Sequence, residues 1–244
     1  MRRPPAAHVP GPLIAAALLV LSAPTNAIAQ GVSPSPRVIY VDQSALPGGD
    51  GSDWLHAFRD LQDALDAAPA QTDPQSLART EIHVSQGVYR PDRGTRNRAA
   101  SFIIPGGVVL YGGYGGLRSP NPDQQNSTYF ATVLSGDLLG DDGPDFANTA
   151  DNSYHVVRVI GDTRASDGYQ PYFLSQLALV TVRGGNANAP GDDSGAGVLA
   201  LDGLHISFAS CTFRDNQATY DGALGLGYAQ TIQISFCSIT DNRS

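Results

Sequence analysis

The stretch CTFRDN at Cys211–Asn216 returns 26 residues later as CSITDN at Cys237–Asn242. A cysteine beside Arg214 and Asp215 has the ingredients of a catalytic or metal-binding cluster, and equally those of one rung in a repeating scaffold. The flanking residues weigh on the second reading. Stepping back from Cys237 by 26 and then by 31 aligns three apolar sets: Leu177, Phe208 and Ile234; Val180, Cys211 and Cys237; Val182, Phe213 and Ile239. Internal periodicity of this length marks a stacked repeat architecture. Between the aligned blocks GAGVLA (Gly195–Ala200) recurs as GALGLG (Gly222–Gly227), at an offset of 27. The longer first interval is accommodated by the insertion NANAPGDDS.

Within each copy the alternation changes phase. Ile206 and Phe208 alternate on one parity and Cys211 and Phe213 on the other; Ile232 and Ile234 followed by Cys237 and Ile239 repeat the slip. A slip of one residue turns every following side chain to the other face, so each slip marks a corner between two short strands. Short strands stacked as parallel ladders about 4.8 Å apart describe a β-solenoid. The expected fold is all-β, a right-handed parallel β-helix over residues 37–244.

Upstream, β-prone runs separated by Gly- and Asp-rich turns continue the theme: RVIYVD, EIHVSQGVY, SFIIPGGVVLYGGY, TVLSGD and YHVVRVIG. One helix interrupts them. Trp54, Ala57, Phe58, Leu61, Ala64, Leu65 and Ala68 form an apolar stripe at helical spacing. Ser52 or Asp53 is the expected N-cap and Pro69 helps end the helix. Such a helix can close the N-terminal end of an apolar stack.

The N-terminus carries targeting information. Arg2 and Arg3, the apolar run LIAAALLVL and Ala27-x-Ala29 constitute a secretory signal over residues 1–29. A flexible leader at 30–36 follows. No later segment is long enough for a transmembrane helix, so the chain is expected to be secreted or held at the cell surface. Of 15 basic residues, two leave with the signal, and 13 then face 23 acidic ones; lysine is absent and Glu81 is the one glutamate. That balance argues against nucleic acid as a partner.

YVD…GGDGSDW…F…LQDAL (Tyr40–Leu65), IHVSQGVYRP, LYGGYGG, SGDLLGDDG and NSYHVV resemble the N-terminal region of bacterial right-handed parallel β-helix proteins of the pectin-lyase-like class. FRDN (Phe213–Asn216) with GAL (Gly222–Leu224) is similar to the units of polymorphic outer membrane protein repeats, although Asp221 stands in place of their first glycine and Ile239 in place of their phenylalanine. Folds of this class host both enzymes and adhesins. The resemblance implies either an exported module displaying loops for adhesion or interaction, with a polysaccharide or another cell-surface ligand as partner, or a calcium-assisted polysaccharide lyase or glycoside hydrolase.

Candidate chemistry is sparse. Lyases of the class pair calcium-binding carboxylates with a basic residue that takes a proton from the sugar, and Arg183 and Arg214 fall at equivalent outward positions on neighbouring coils. GDLLGDDGPD supplies Asp137, Asp141, Asp142 and Asp145, oxygen ligands on a glycine-containing loop of the kind calcium takes. Its spacing is not that of an EF-hand. Cys211 and Cys237 occupy a slot that holds Val180 one coil earlier, so small apolar side chains suit it. In-register stacking suits a disulfide poorly, and free, buried thiols are the expectation. His205, six residues from Cys211, belongs to the preceding strand, and His56, His83 and His155 are scattered without metal-ligand spacing. Asn216 and Asn242 are expected to form a hydrogen-bonded ladder where each coil turns. Asn126 and Asn242 begin glycosylation sequons. The Ile232–Ile239 strands present an unpaired edge, which predicts a following domain or self-association.

Overall fold

A computed structural model describes residues 35–69, 79–160, 174–201, 205–227 and 231–244. The expected secretory signal and most of the expected leader lie outside the described residues. The protein is all-β, built on parallel sheets, with one short α-helix among the described residues. Among the described residues seventeen strands run in chain order: β1 (Arg37–Val41), β2 (Thr80–Ser85), β3 (Gly87–Tyr89), β4 (Phe102–Pro105), β5 (Val108–Tyr114), β6 (Thr132–Ser135), β7 (Val157–Ile160), β8 (Leu174–Ala178) and β9 (Thr181–Arg183). They continue as β10 (Asn186–Ala187), β11 (Val198–Leu201), β12 (His205–Ala209), β13 (Thr212–Arg214), β14 (Gln217–Ala218), β15 (Leu224–Gly227), β16 (Thr231–Ser235) and β17 (Ser238–Thr240).

Three sheets take these strands in rotation. The first holds β1-β2-β5-β8-β12-β16, the second β3-β6-β9-β13-β17 and the third β4-β7-β11-β15, with β10 and β14 forming a small pair of their own. Every ladder among them is parallel. One passage through the three sheets is a coil. The aligned apolar sets are true rungs: Phe208 stands between Leu177 and Ile234, and Phe213 between Val182 and Ile239. The glycine-containing units register differently from the sequence alignment. Val198 faces Leu224, an offset of 26 where matching the glycines implies 27. The backbone ladder sets the spacing, and the glycines follow local turn geometry.

The phase slip has a backbone cause. Leu179, Ser210 and Phe236, one per coil, adopt φ of 59°, 53° and 55° at the corner between the first and second sheets. This left-handed residue turns the chain and exchanges inward for outward parity. Inward residues of all three sheets meet in one core, with Ile82, Leu110, Leu134, Leu177, Val182, Ile206, Phe208 and Phe213 fully buried.

The helix is shorter than the apolar stripe implies. α1 spans Leu61–Ala67, capped by Asp60, whose side chain accepts the Gln62 N–H at 3.0 Å. Trp54 and Ala57 are buried as expected, yet residues 54–58 are a turn and a bridge that pairs Phe58 with Val41. Neither Ser52 nor Asp53 caps it. The Phe58 N–H goes to the Tyr40 carbonyl at 2.9 Å and the Asp42 N–H to the Phe58 carbonyl at 2.8 Å, so strand contacts outcompete a first helical turn. Leu61, Ala64 and Leu65 face inward, and α1 packs on β1, β2 and β4, which lie at the N-terminal edges of the first and third sheets. Among the described residues no helix is long and apolar enough to cross a membrane.

Candidate functional site

Loop 136–151 leaves the second sheet after β6, and its first residue has to be glycine. A Cβ on Gly136 would lie 2.3 Å from the Gly184 carbonyl oxygen, while the Gly136 N–H bonds the Arg183 carbonyl at 2.8 Å. Asp137 is buried, and its Oδ1 accepts the Gly140 and Asp141 N–H groups at 2.6 and 3.1 Å. The Arg90 guanidinium bonds the Asp137 carbonyl at 2.6 Å. Asp151 Oδ2 accepts the Leu139 N–H at 2.9 Å. The far half is tied to the coils: Asn186 donates to the Thr149 carbonyl at 2.8 Å and Gln217 to its hydroxyl at 2.5 Å. A 16-residue excursion is thereby a fixed structure.

Its carboxylates divide into two groups. Oxygens of Asp137, Asp141 and Asp151 lie within 4.8 Å of one another. Asp142, the other calcium candidate, turns away, and its Oδ2 accepts the buried Asn152 side-chain amide at 2.9 Å. Asp137 and Asp151 each give one oxygen to backbone N–H groups, leaving their second oxygens and those of Asp141. That all-oxygen set suits a hard cation such as calcium, with water completing its shell. Burial pushes the Asp142 carboxyl up to about 6, and nearby Asp137 and Asp151 add to the rise, against the Asn152 hydrogen bond and the Arg183 charge.

The two arginines stack as expected, in register on β9 and β13 between Ser135 and Thr240. Their surroundings differ. Arg214 is ion-paired with its neighbour Asp215. Arg183 lines a cleft of about 650 Å3 with Asp215, Asp241, Asn242 and Arg243 from the coils, and Asp142 and Asp145–Phe146 from the loop. A second cleft of about 540 Å3 adjoins it, sharing Phe146, Thr149 and Arg243, and is lined by Asn148, Asn186, Asn188 and Gln217. Asp145, Phe146 and Asn148 hold φ of 56°, 61° and 64°. Left-handed backbone at a bulky aromatic is costly and gathers at functional positions.

Beneath the clefts runs the asparagine ladder. Asn216, fully buried, bonds the Val182 and Arg214 carbonyls through Nδ2 at 3.2 and 3.0 Å, and its Oδ1 accepts the Gly185 N–H at 3.0 Å. Asn242 Oδ1 receives both the backbone and side-chain N–H groups of Asn216, at 3.1 and 3.0 Å. The left-handed residue of this corner is the preceding aspartate, Asp215 or Asp241, and not the asparagine.

Cys211 and Cys237 are free thiols, but Cys237, on the last coil, is only half-buried and not buried as expected. Cys211 is buried, its Sγ 3.3 Å from the Leu177 carbonyl, and burial pushes the thiol up to about 12, against a reactive role. His205 stands in register with Leu174 and Thr231 on the first sheet. His155 is a buried staple, its ring nitrogens 3.0 Å from the Gly195 carbonyl and 2.8 Å from Asp192. Tyr40, His83 and Tyr111 form an outward rung on the first sheet. Trp54 and Tyr114 pack against it at ring separations of 4.6 to 5.6 Å, close enough that the rings fill their own space. Burial lowers the His83 pKa, opposed by Glu81. Sequence reasoning missed Asp151, Phe146 and the amide-lined cleft; three non-glycine left-handed residues in four leave no mark in composition. Compared with known protein families, characterised proteins and solved structures, the chain finds no match.

Proposed function

We propose that this chain is a right-handed parallel β-helix module of an exported or cell-surface protein, and that it works by binding. Its resemblance to pectin-lyase-like and polymorphic outer membrane protein repeats supports the architecture, as does the rotation of the chain through three parallel sheets. The observation that carries the binding role is the 136–151 loop, pinned at both ends and bordering two adjoining clefts. A preformed concave surface lined by polar side chains and one aromatic ring is what ligand sites require. Arg214, the residue best placed by sequence to act as a base, is spent on Asp215.

A hydrolase or lyase is the second reading. It is favoured by Asp142, a carboxyl held near neutrality beside Arg183, since a general acid or base works best with a pKa near the operating pH. One experiment separates the two. Purified protein is incubated with polygalacturonate, alginate and chondroitin in the presence of calcium, and new unsaturated or reducing ends are assayed beside binding to the same polymers. Binding without new ends is the expected result. New ends that vanish in Asp142→Asn or Arg214→Ala would replace the binding role with an enzymatic one.

A further inference from the structure

We infer that the smaller cleft holds a saccharide by one carboxylate, seated on Arg243, while the larger cleft takes an uncharged sugar beside it. The ligand is then a polymer in which acidic and neutral sugars alternate. This rests on the binding function proposed above and names its ligand class.

The smaller cleft is built on a ladder. Asn186 on β10 stands in register with Gln217 on β14, and Gln217 is bridged in turn to Arg243. Side chains stacked in register point the same way, about 4.8 Å apart. Three successive coils therefore present two amides and a guanidinium to the cleft as one row. Arg243 is placed by its backbone, which donates to the Asn216 carbonyl at 2.8 Å and accepts the Ala218 N–H at 3.0 Å.

Charge singles out Arg243. Among the side chains lining the smaller cleft it alone is charged. Its guanidinium sits over the Phe146 ring at 6.0 Å and has no hydrogen bond or ion pair among the described residues. A guanidinium fork matches the two oxygens of a carboxylate.

The amides ask for the rest of the ligand. Asn186 and Gln217 donate to the Thr149 carbonyl and hydroxyl and Asn148 to the Asp141 carbonyl, which leaves three side-chain oxygens as acceptors. Asn188 gives its oxygen to Arg98 and keeps its NH2 as a donor. Free donors beside free acceptors match hydroxyl groups, which both give and take hydrogen bonds. Phe146, half-buried on the border of both clefts and held there by left-handed backbone, offers a ring to the apolar face of a sugar.

The larger cleft is of mixed charge. Asp142, Asp145, Asp215 and Asp241 outnumber Arg183 and Arg243 there, and the Arg183 charge already acts on Asp142. A second carboxylate seated in it would meet like charge, which is costly across a contact. The hydroxyls of a neutral sugar can donate to those same carboxylates. One acidic sugar beside one neutral sugar is the repeat of an alternating polymer.

The test is calorimetric titration of the purified chain, in calcium-free buffer, with four probes. They are an unsulfated chondroitin tetramer, in which uronate and N-acetylgalactosamine alternate, its carboxyl-reduced form, tetragalacturonate and tetraglutamate. The alternating tetramer is expected to bind roughly tenfold more tightly than its carboxyl-reduced form, the difference one charged hydrogen bond makes. That margin should shrink in high salt. Tetragalacturonate should bind more weakly than the alternating tetramer. Arg243→Gln should bring the alternating tetramer down to the level of its reduced form, with thermal unfolding confirming that the variant folds. A margin lost in Arg183→Gln and kept in Arg243→Gln would move the carboxylate to the larger cleft and overturn the assignment. Equal affinity for the alternating tetramer and its reduced form would overturn the carboxylate contact. Tetragalacturonate binding as tightly would overturn the alternation, and tetraglutamate doing so would overturn the saccharide class. Tetramers failing while the polymers of the assay above bind would overturn this inference alone; polymers failing as well would remove the binding function beneath it.

Discussion

Asn216 makes its side chain part of the backbone network of three successive coils. Its partners come from Val182 and Gly185 on one side and Asn242 on the other. Asn216→Ala would orphan the buried Gly185 N–H and remove the side-chain bonds to the Val182 and Arg214 carbonyls, for a loss of roughly 2–4 kcal/mol, measurable by urea unfolding. Asn242→Ala, on a more exposed rung, should cost clearly less; equal losses would contradict the ladder's burial gradient. Asp142 acts in the opposite sense. Because its folded pKa is raised to about 6 from 3.8, the folded state holds the proton more tightly. Its contribution is intact below pH 3.8 and is lost as pH rises through about 6. Asp142→Asn should therefore raise the melting temperature at pH 7.5, by roughly 2–4 °C for each kcal/mol recovered, and have little effect at pH 3.5. Gains equal at both values would refute the assignment. At this scale the repeated DN was legible as a ladder. Which of its two residues turns left-handed was not, because Asp and Asn both tolerate that conformation and only the hydrogen-bond register decides.

Seven residues are too few for a helix to stand alone, so α1 depends on its cap and its buried face. Asp60→Ala should cost about 1 kcal/mol and Leu61→Ala roughly 2–5 kcal/mol, both read from chemical denaturation. If Asp60→Ala were neutral and Asp53→Ala destabilising instead, the helix would start where the apolar stripe starts. The stripe predicted burial correctly from Trp54 to Ala68 except at Phe58, which is half-buried against the core. It misplaced the helix because inward residues of a tight turn can fall at the same spacing as those of a helix. The Tyr40 to Phe58 pairing that settles the matter joins residues 18 apart. The acidic loop was legible as a loop, and Asp137 and Asp141 as two of its carboxylates, whose oxygens approach each other. Asp151 was not, since its place depends on its bond to Leu139 across the loop.

The core thins toward the last coil. Ile206, Phe208 and Phe213 are fully buried, while their rung partners Ile232, Ile234 and Ile239 are 41%, 46% and 51% exposed and Phe236 is 93% exposed. Apolar side chains in equivalent slots differ here because, among the described residues, β16 and β17 are edge strands with a neighbour on one side. This chain on its own should self-associate with rising concentration in sedimentation velocity, through open strand edges and apolar rungs. Ile234→Lys should suppress that association with little cost to folding. Monomers at every concentration would count against it. The stacking was the most legible property of all, since one corner written twice supplied the 26-residue spacing; the uneven interval before it came from an insertion.

Rotation through three parallel sheets also has a mechanical consequence. Each coil is held mainly by its two neighbours, so a molecule pulled by its C-terminal end should yield one coil at a time instead of breaking all at once. The last coil, with 26 residues between equivalent positions, should lengthen the tether by about 9 nm, and the one before it, with 31, by about 11 nm, at ~3.5 Å per residue. Force spectroscopy would record a staircase of uneven treads, each set by the length of one coil.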